Sequence, residues 1–274
     1  MFIKSIKKYI QDSIFEFESI SSNEGEYSRL RLLFFLLIRR PVQIFKTVKV
    51  RAIIKKRDEV FYSVNKYDKS GVDVYPETLE EFSRRFEKCM PNSLRKVGYQ
   101  NMVYASNCLD NIEFSRSLKE YVDFLYDAFP YLPDMVENAY FIHDIPNNKA
   151  PAHSLHRDGL GVRFKVWLVL NAEGVIGIEY IQADAKTLDD SRYGLYSSIY
   201  PKPSKVNKKA SFLQAERGLL YCLDTNCLHK GRVERGSARL ALVVEFIDRI
   251  KMLSIDGIFD PFHYDQKLDL FFQK

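Results

Sequence analysis

Apolar positions recur along the chain with two different periods, and the change falls near residue 133. Ahead of it the spacing is mainly helical. Ile3, Ile6, Ile10, Ile14 and Phe17, with lysines interleaved, predict an amphipathic helix over residues 2–17. Residues 21–26 break the pattern as a loop. Residues 27–40 predict a second helix, apolar on most sides and flanked by Arg29, Arg31, Arg39 and Arg40, which Pro41 ends. A helix apolar all round is buried in protein or inserted among lipid headgroups, and burial is the expectation here. Residues 42–56 mix β-branched residues with Lys and Arg and fit either strand or helix, and residues 66–71 read as a polar turn. Pro76 opens a further helix carrying Leu79, Phe82, Phe86 and Cys89, closed by Pro91. Phe114, Leu118, Tyr121, Val122, Leu125 and Phe129 mark another, closed by Pro130 and Pro133. The first half is therefore expected to be mainly helical.

Beyond residue 133 the apolar runs are short and separated by turn residues. Residues 139–145, 164–170, 175–181, 218–223 and 240–246 predict strands. Several short strands at this spacing indicate a sandwich or barrel. Residues 183–209 are polar and irregular, with Pro201 and Pro203. An insertion of that length, bearing Arg192, Tyr193, Tyr196 and Tyr200, reads either as a lid over the site or as a disordered segment. Residues 251–274 form a tail ending in Phe271 and Phe272, and no internal repeat interrupts the chain.

Composition sharpens this picture in three ways. First, the 274 residues are 46% hydrophobic, with 20 Phe and 17 Tyr, enough to fill a large core. Second, the net charge of +5 is uneven: residues 1–58 hold 13 Lys and Arg against 6 Asp and Glu. The basic character belongs to that segment, which suits contact with an anionic membrane surface as well as a solvated face. Nothing resembles a nucleic-acid-binding motif, so nucleic acid is not an expected partner. Third, Cys89, Cys108, Cys222 and Cys227 form no CxxC pair, which points to free thiols in a reducing compartment. The longest apolar run near the N-terminus, residues 32–38, is far short of the roughly 20 residues that span a bilayer. The expected location is the cytoplasm, with residues 1–58 as a possible peripheral membrane contact.

The candidate chemistry lies in the β-rich half. His156 and Asp158 are two apart, which in an extended strand puts both side chains on one face. His229 lies about 70 residues downstream, after a strand and a turn, and is available as a third ligand from another strand. Two imidazoles and one carboxylate on one side of a divalent ion leave the other side open, as in non-haem Fe(II) oxygenases. His156-Arg157-Asp158 also matches the start of a kinase catalytic loop, but the Gly-rich loop that such an enzyme needs is missing. Arg239, ten residues beyond His229, opens the last predicted strand.

Taken together, His156-x-Asp158, the run Val166-Trp-Leu-Val-Leu-Asn171 with Gly174, and Leu223-Asp-Thr-x-x-Leu-His229 with Arg239 resemble the Fe(II)/2-oxoglutarate-dependent dioxygenases, most closely the phytanoyl-CoA dioxygenase-like branch. The resemblance spans about residues 137–248. It implies that His156, Asp158 and His229 hold iron and that Arg239 grips the distal carboxylate of 2-oxoglutarate. Ser237, Lys165 and Trp167 are further candidates for the co-substrate, and His153, Tyr140 and Arg232 for substrate. A guanidinium fork matches a carboxylate through two parallel hydrogen bonds, which lysine cannot copy. The implied reaction consumes O2 and 2-oxoglutarate, releases succinate and CO2, and hydroxylates a small molecule, lipid or glycan. Asp158 retains the carboxylate that a halogenase variant would lack. The expected architecture is a single domain over residues 1–274: a helical part to 133, a double-stranded β-helix (jelly roll) over 134–250, and a C-terminal tail. Two other readings remain: a jelly-roll binding module without catalysis, and a membrane-surface protein acting through residues 1–58.

Overall fold

Ten strands, three α-helices and a short 3-10 helix (Ala105–Cys108) are described in a computed structural model that covers residues 37, 64–67, 76–90, 95–97, 100–144, 163–181, 210–225, 227–247 and 266–272. The helices expected over residues 2–17 and 27–40, the segment 42–56 and the candidate lid over 183–209 lie outside these, Leu37 apart, which is exposed rather than buried. Strands β1 (Val64–Lys66), β2 (Arg95–Val97), β3 (Gln100–Tyr104), β4 (Met135–Asp144), β5 (Arg163–Glu173), β8 (Leu220–Asp224) and β10 (Ala238–Ile247) form one sheet. Its order is β1-β8-β5-β10-β4-β3-β2. Strands β6 (Ile176–Ile181), β7 (Ser211–Gln214) and β9 (Leu228–Val233) form a smaller sheet in the order β7-β6-β9. Every described pairing is antiparallel. From β5 onward the chain passes from the large sheet to the small one, back at β8, across at β9 and back at β10. That alternation between two antiparallel sheets is the winding of a jelly roll.

The long central strands are apolar on both faces because each face meets a separate layer. On β5, Phe164, Val166, Leu168 and Leu170 face the helices, while Trp167 and Val169 face the small sheet. On β10, Leu242, Val244 and Phe246 face the helices, and Ala241 and Val243 the small sheet. Alternation with period two carries Arg239 and Glu245 into the inter-sheet space with Ala241 and Val243. A strand buried on both sides reads as a continuous apolar run, which is why these two strands were visible in the sequence.

Helix α1 (Pro76–Cys89) and helix α2 (Ile112–Ala128) cover the outer face of the large sheet. Pro76 sits at the first helical position, and Asn111 Oδ1 accepts from the Phe114 N–H at 3.1 Å to cap α2. Their apolar stripes meet at Phe86, fully buried, whose ring lies 6.0 Å from Phe114, 5.4 Å from Tyr121 and 6.5 Å from Phe141. Arg217, before β8, ties α1 to the sheet by pairing with Glu87 at 2.6 Å and donating to the Leu170 carbonyl at 3.0 Å. The described part of the first half is thus not wholly helical: β1, β2 and β3 extend the large sheet at its two edges. The tail contains a short helix, α3 (Gln266–Phe272), whose Leu268 enters the helix-side core. Among the described residues no helix is long and apolar enough to cross a membrane.

Candidate active site

The crossing from β8 to β9 places His229. Thr225 donates from its backbone N–H and its hydroxyl to the Arg163 carbonyl, at 3.2 and 3.1 Å, fixing the crossing to the large sheet. Cys227 Sγ donates to the Ile181 carbonyl at 3.2 Å, fixing it to the small one. His229 therefore lies in strand β9, not in the turn read from the sequence. It pairs with Tyr180, and its neighbours in register, Ile178 opposite Gly231 and Ile176 opposite Val233, belong to the inter-sheet core. His229 thus projects between the sheets and is only 6% exposed. Its Nδ1 lies 3.0 Å from the Cys227 carbonyl oxygen. A neutral imidazole bonded that way carries its hydrogen on Nδ1 and presents the Nε2 lone pair, the form a metal ligand takes.

Arg239 enters the same space from the opposite end of the sandwich. Its backbone pairs with Asp144 and Ala172, yet its guanidinium carbon lies 4.6 Å from the ring centre of Trp167, which pairs with Val243 four residues on. The side chain therefore runs back along β10 toward the middle of the sheet. Trp167 stacks on Tyr221 with centroids 5.9 Å apart and planes 7° apart, and Tyr221 Oη is 3.4 Å from Arg239 Nη1. Asp144 Oδ2 accepts from Arg239 Nε at 3.0 Å and from Nη2 at 2.5 Å. Burial opposes the charge on Arg239, but Asp144 and Tyr221 together outweigh it and hold the guanidinium above its ordinary pKa. Burial also pushes the Tyr221 phenol up to about 12, against the nearby Arg239 charge, so the hydroxyl keeps its proton at neutral pH.

A guanidinium has five N–H donors. Among the described residues Asp144 takes Nε–H and one Nη2–H, and Tyr221 one Nη1–H, which leaves one N–H on each terminal nitrogen. Such a pair is the fork that fits a carboxylate. Beside it, the buried Trp167 Nε1–H has no acceptor among the described residues. Buried donors left this way call for a bound acceptor. The residues present therefore fit a carboxylate.

At the His229 end the inter-sheet face carries a second charged group. Glu245 accepts from the Tyr140 hydroxyl at 2.8 Å and pairs with Lys165 at 2.9 Å and Arg163 at 2.5 Å. Arg163 also meets Glu137 at 3.0 Å. Burial alone would raise the Glu245 pKa. The charges of Arg163 and Lys165, with hydrogen bonds from Lys165 and Tyr140, reverse that and bring it to about 2.

The sequence-based candidates fall into three groups. His229, Arg239 and Trp167 are brought into one inter-sheet space. Lys165 and Tyr140 are directed to Glu245 instead, which places their polar atoms in a protein-internal network. Ser237, buried in the turn before β10, packs so close to Gly174 that a Cβ there would lie 2.5 Å from its Oγ. Arg232 projects from the other face of β9, pairing with Glu234 at 2.5 Å and Glu179 at 3.4 Å, and so points away from His229. His153, His156 and Asp158 lie outside the described residues, and among the described residues no three metal-binding side chains gather. Asp144, Tyr221 and Glu245 were not anticipated. Glu245 alone left a trace, an acid at the same strand parity as Arg239 inside an apolar run.

The sequence matches no protein-family description and no curated protein. Among solved structures it is similar to the non-haem alpha-ketoglutarate-dependent epimerase SnoN from nogalamycin biosynthesis, at 13% identity over 74% of this chain and 82% of that one, TM-score 0.44. It is also similar to HygX from Streptomyces hygroscopicus with nickel and 2-oxoglutarate bound, at 11% identity over 64% and 80%, TM-score 0.42. A prolyl-4-hydroxylase from Pseudomonas putida is similar at 10% identity over 74% and 99%, TM-score 0.39. With TM-scores below 0.5, these similarities carry no weight beside the residues described above.

Proposed function

We propose that this protein is an Fe(II)- and 2-oxoglutarate-dependent dioxygenase that hydroxylates a small molecule, lipid or sugar. One observation carries the reading: His229 and Arg239, on consecutive strands, both project between the sheets, the imidazole oriented by the Cys227 carbonyl and the guanidinium with one N–H on each terminal nitrogen not taken by a described residue. Bound together, Fe(II) and 2-oxoglutarate supply the oxidising chemistry, in which O2 and the keto acid yield succinate, CO2 and one substrate hydroxyl. His229 offers one metal ligand, and His156 and Asp158, by their resemblance to the family motif, complete the set. Arg239 binds the distal carboxylate through its two remaining N–H groups. Trp167 walls the pocket and adds its indole N–H, while the Tyr221 hydroxyl holds the guanidinium in place. The two sheets exclude water and so strengthen each of these polar contacts.

The test uses the full chain without air. Fe(II) followed by 2-oxoglutarate should produce the visible charge-transfer absorption of a chelated keto acid, and air should then release succinate. His229→Ala and Asp158→Ala should lose both signals. Arg239→Lys should keep the metal but weaken 2-oxoglutarate binding by roughly tenfold to a hundredfold, the worth of a bidentate charged contact. Equal absorption and succinate release from His229→Ala and the parent would refute the reading.

A further inference from the structure

We propose that Asp144 is a built-in counter-anion that sets how tightly this site holds its carboxylate co-substrate. The inference rests on the reading of Arg239 given above. Asp144 ends β4 directly opposite Arg239, and a single oxygen, Oδ2, receives both Nε–H and one Nη2–H. The acid thus occupies the side edge of the guanidinium, and one N–H on each terminal nitrogen is not taken by Asp144 or Tyr221. Both partners are buried, Arg239 at 5% exposed and Asp144 at 9%.

Two consequences of opposite sign follow. Without ligand, Asp144 keeps Arg239 from being a buried, unpaired cation, which is a strongly destabilising state. With ligand, the same guanidinium must carry two carboxylates, and the two anions repel across a water-poor space. Asp144 therefore stabilises the empty protein and weakens the ligand. A residue that served packing alone would do one without the other, because its loss would lower stability and affinity together. Among the described residues, Glu245 pairs with Arg163 and Lys165, and Arg163 also with Glu137, at the other end of the inter-sheet face.

Asp144→Asn tests the idea, since it keeps an oxygen acceptor and removes the charge. Thermal unfolding and equilibrium binding are measured with two probes. One is 2-oxoglutarate with Fe(II) under anaerobic conditions. The other is glutarate alone, which has both carboxylates but no keto group to chelate a metal. The variant should melt lower than the parent when ligand-free, bind either probe at least tenfold tighter, and gain a larger thermal shift from it. Asp144→Glu, which keeps the charge, should bind no tighter than the parent. Equal or weaker binding by Asp144→Asn overturns the proposal, as does a variant that stays unfolded in saturating 2-oxoglutarate. If both proteins bind and shift equally, Asp144 loses its role and the function above stands. If the parent itself binds neither probe, the Arg239 reading fails and this inference falls with it.

Discussion

Glu245 shows what a single carboxylate does in a strand made otherwise of core residues. It is 3% exposed, yet it stays ionised because Arg163, Lys165 and Tyr140 converge on it. Its pKa of about 2 lies below the ordinary 4.5, so its stabilisation is fully present above about pH 4.5 and drains away as pH falls toward 2. The difference corresponds to about 3 kcal/mol, most of it gone by pH 3. Glu245→Gln removes the charge on which Arg163 and Lys165 converge, and breaking such a buried group costs roughly 3–5 kcal/mol at pH 7. Denaturant unfolding of parent and variant at pH 7 and pH 3 should show a gap that narrows at the lower pH. A gap of constant size would mean that Glu245 acts through packing rather than charge. Neither this cluster nor the Asp144–Arg239 pair was legible in the sequence. Their partners stand 82 and 95 residues apart, and only the pairing of β4, β5 and β10 brings them together.

At the scale of elements, the readable ones were those with a face to bury. Helices α1 and α2 showed their apolar stripes, and β5 and β10 showed continuous runs that serve two layers. Strands β1 and β2, three residues each, are too short for any period to register and are fixed by backbone pairing with β8 and β3. Strand β9 was missed because Lys230, Gly231 and Arg232 carry no alternation of apolar residues, although its register with β6 is what aims His229. Strand β6 depends in turn on Gly177. A Cβ there would lie 2.1 Å from the Leu213 carbonyl oxygen on β7, a backbone atom that cannot swing aside. Gly177→Ala must therefore push β7 off the small sheet. Amide hydrogen exchange should rise along residues 211–214, with a stability loss on the order of 1–3 kcal/mol from overpacking. Unchanged protection of those amides would show that β7 tolerates the shift.

The whole molecule consists of layers that share one sheet. Alternate residues of β5 and β10 serve the helices on one side and the inter-sheet site on the other. This division separates stability from chemistry, because a side chain lost on the helix side removes packing without touching Arg239, Trp167 or Tyr221. Phe86 is the sharpest case, being fully buried among Phe114, Tyr121 and Phe141, with only Phe141 belonging to the sheet. Phe86→Ala should cost about 3–5 kcal/mol in denaturant unfolding, the usual loss for a large aromatic in a well-packed core. The same variant, held well below its melting temperature, should bind glutarate within about twofold of the parent, as expected for sites without shared partners. A tenfold loss of glutarate binding would mean that the sheet transmits strain from its outer face to Trp167, and the layers would then have to be treated as one coupled unit.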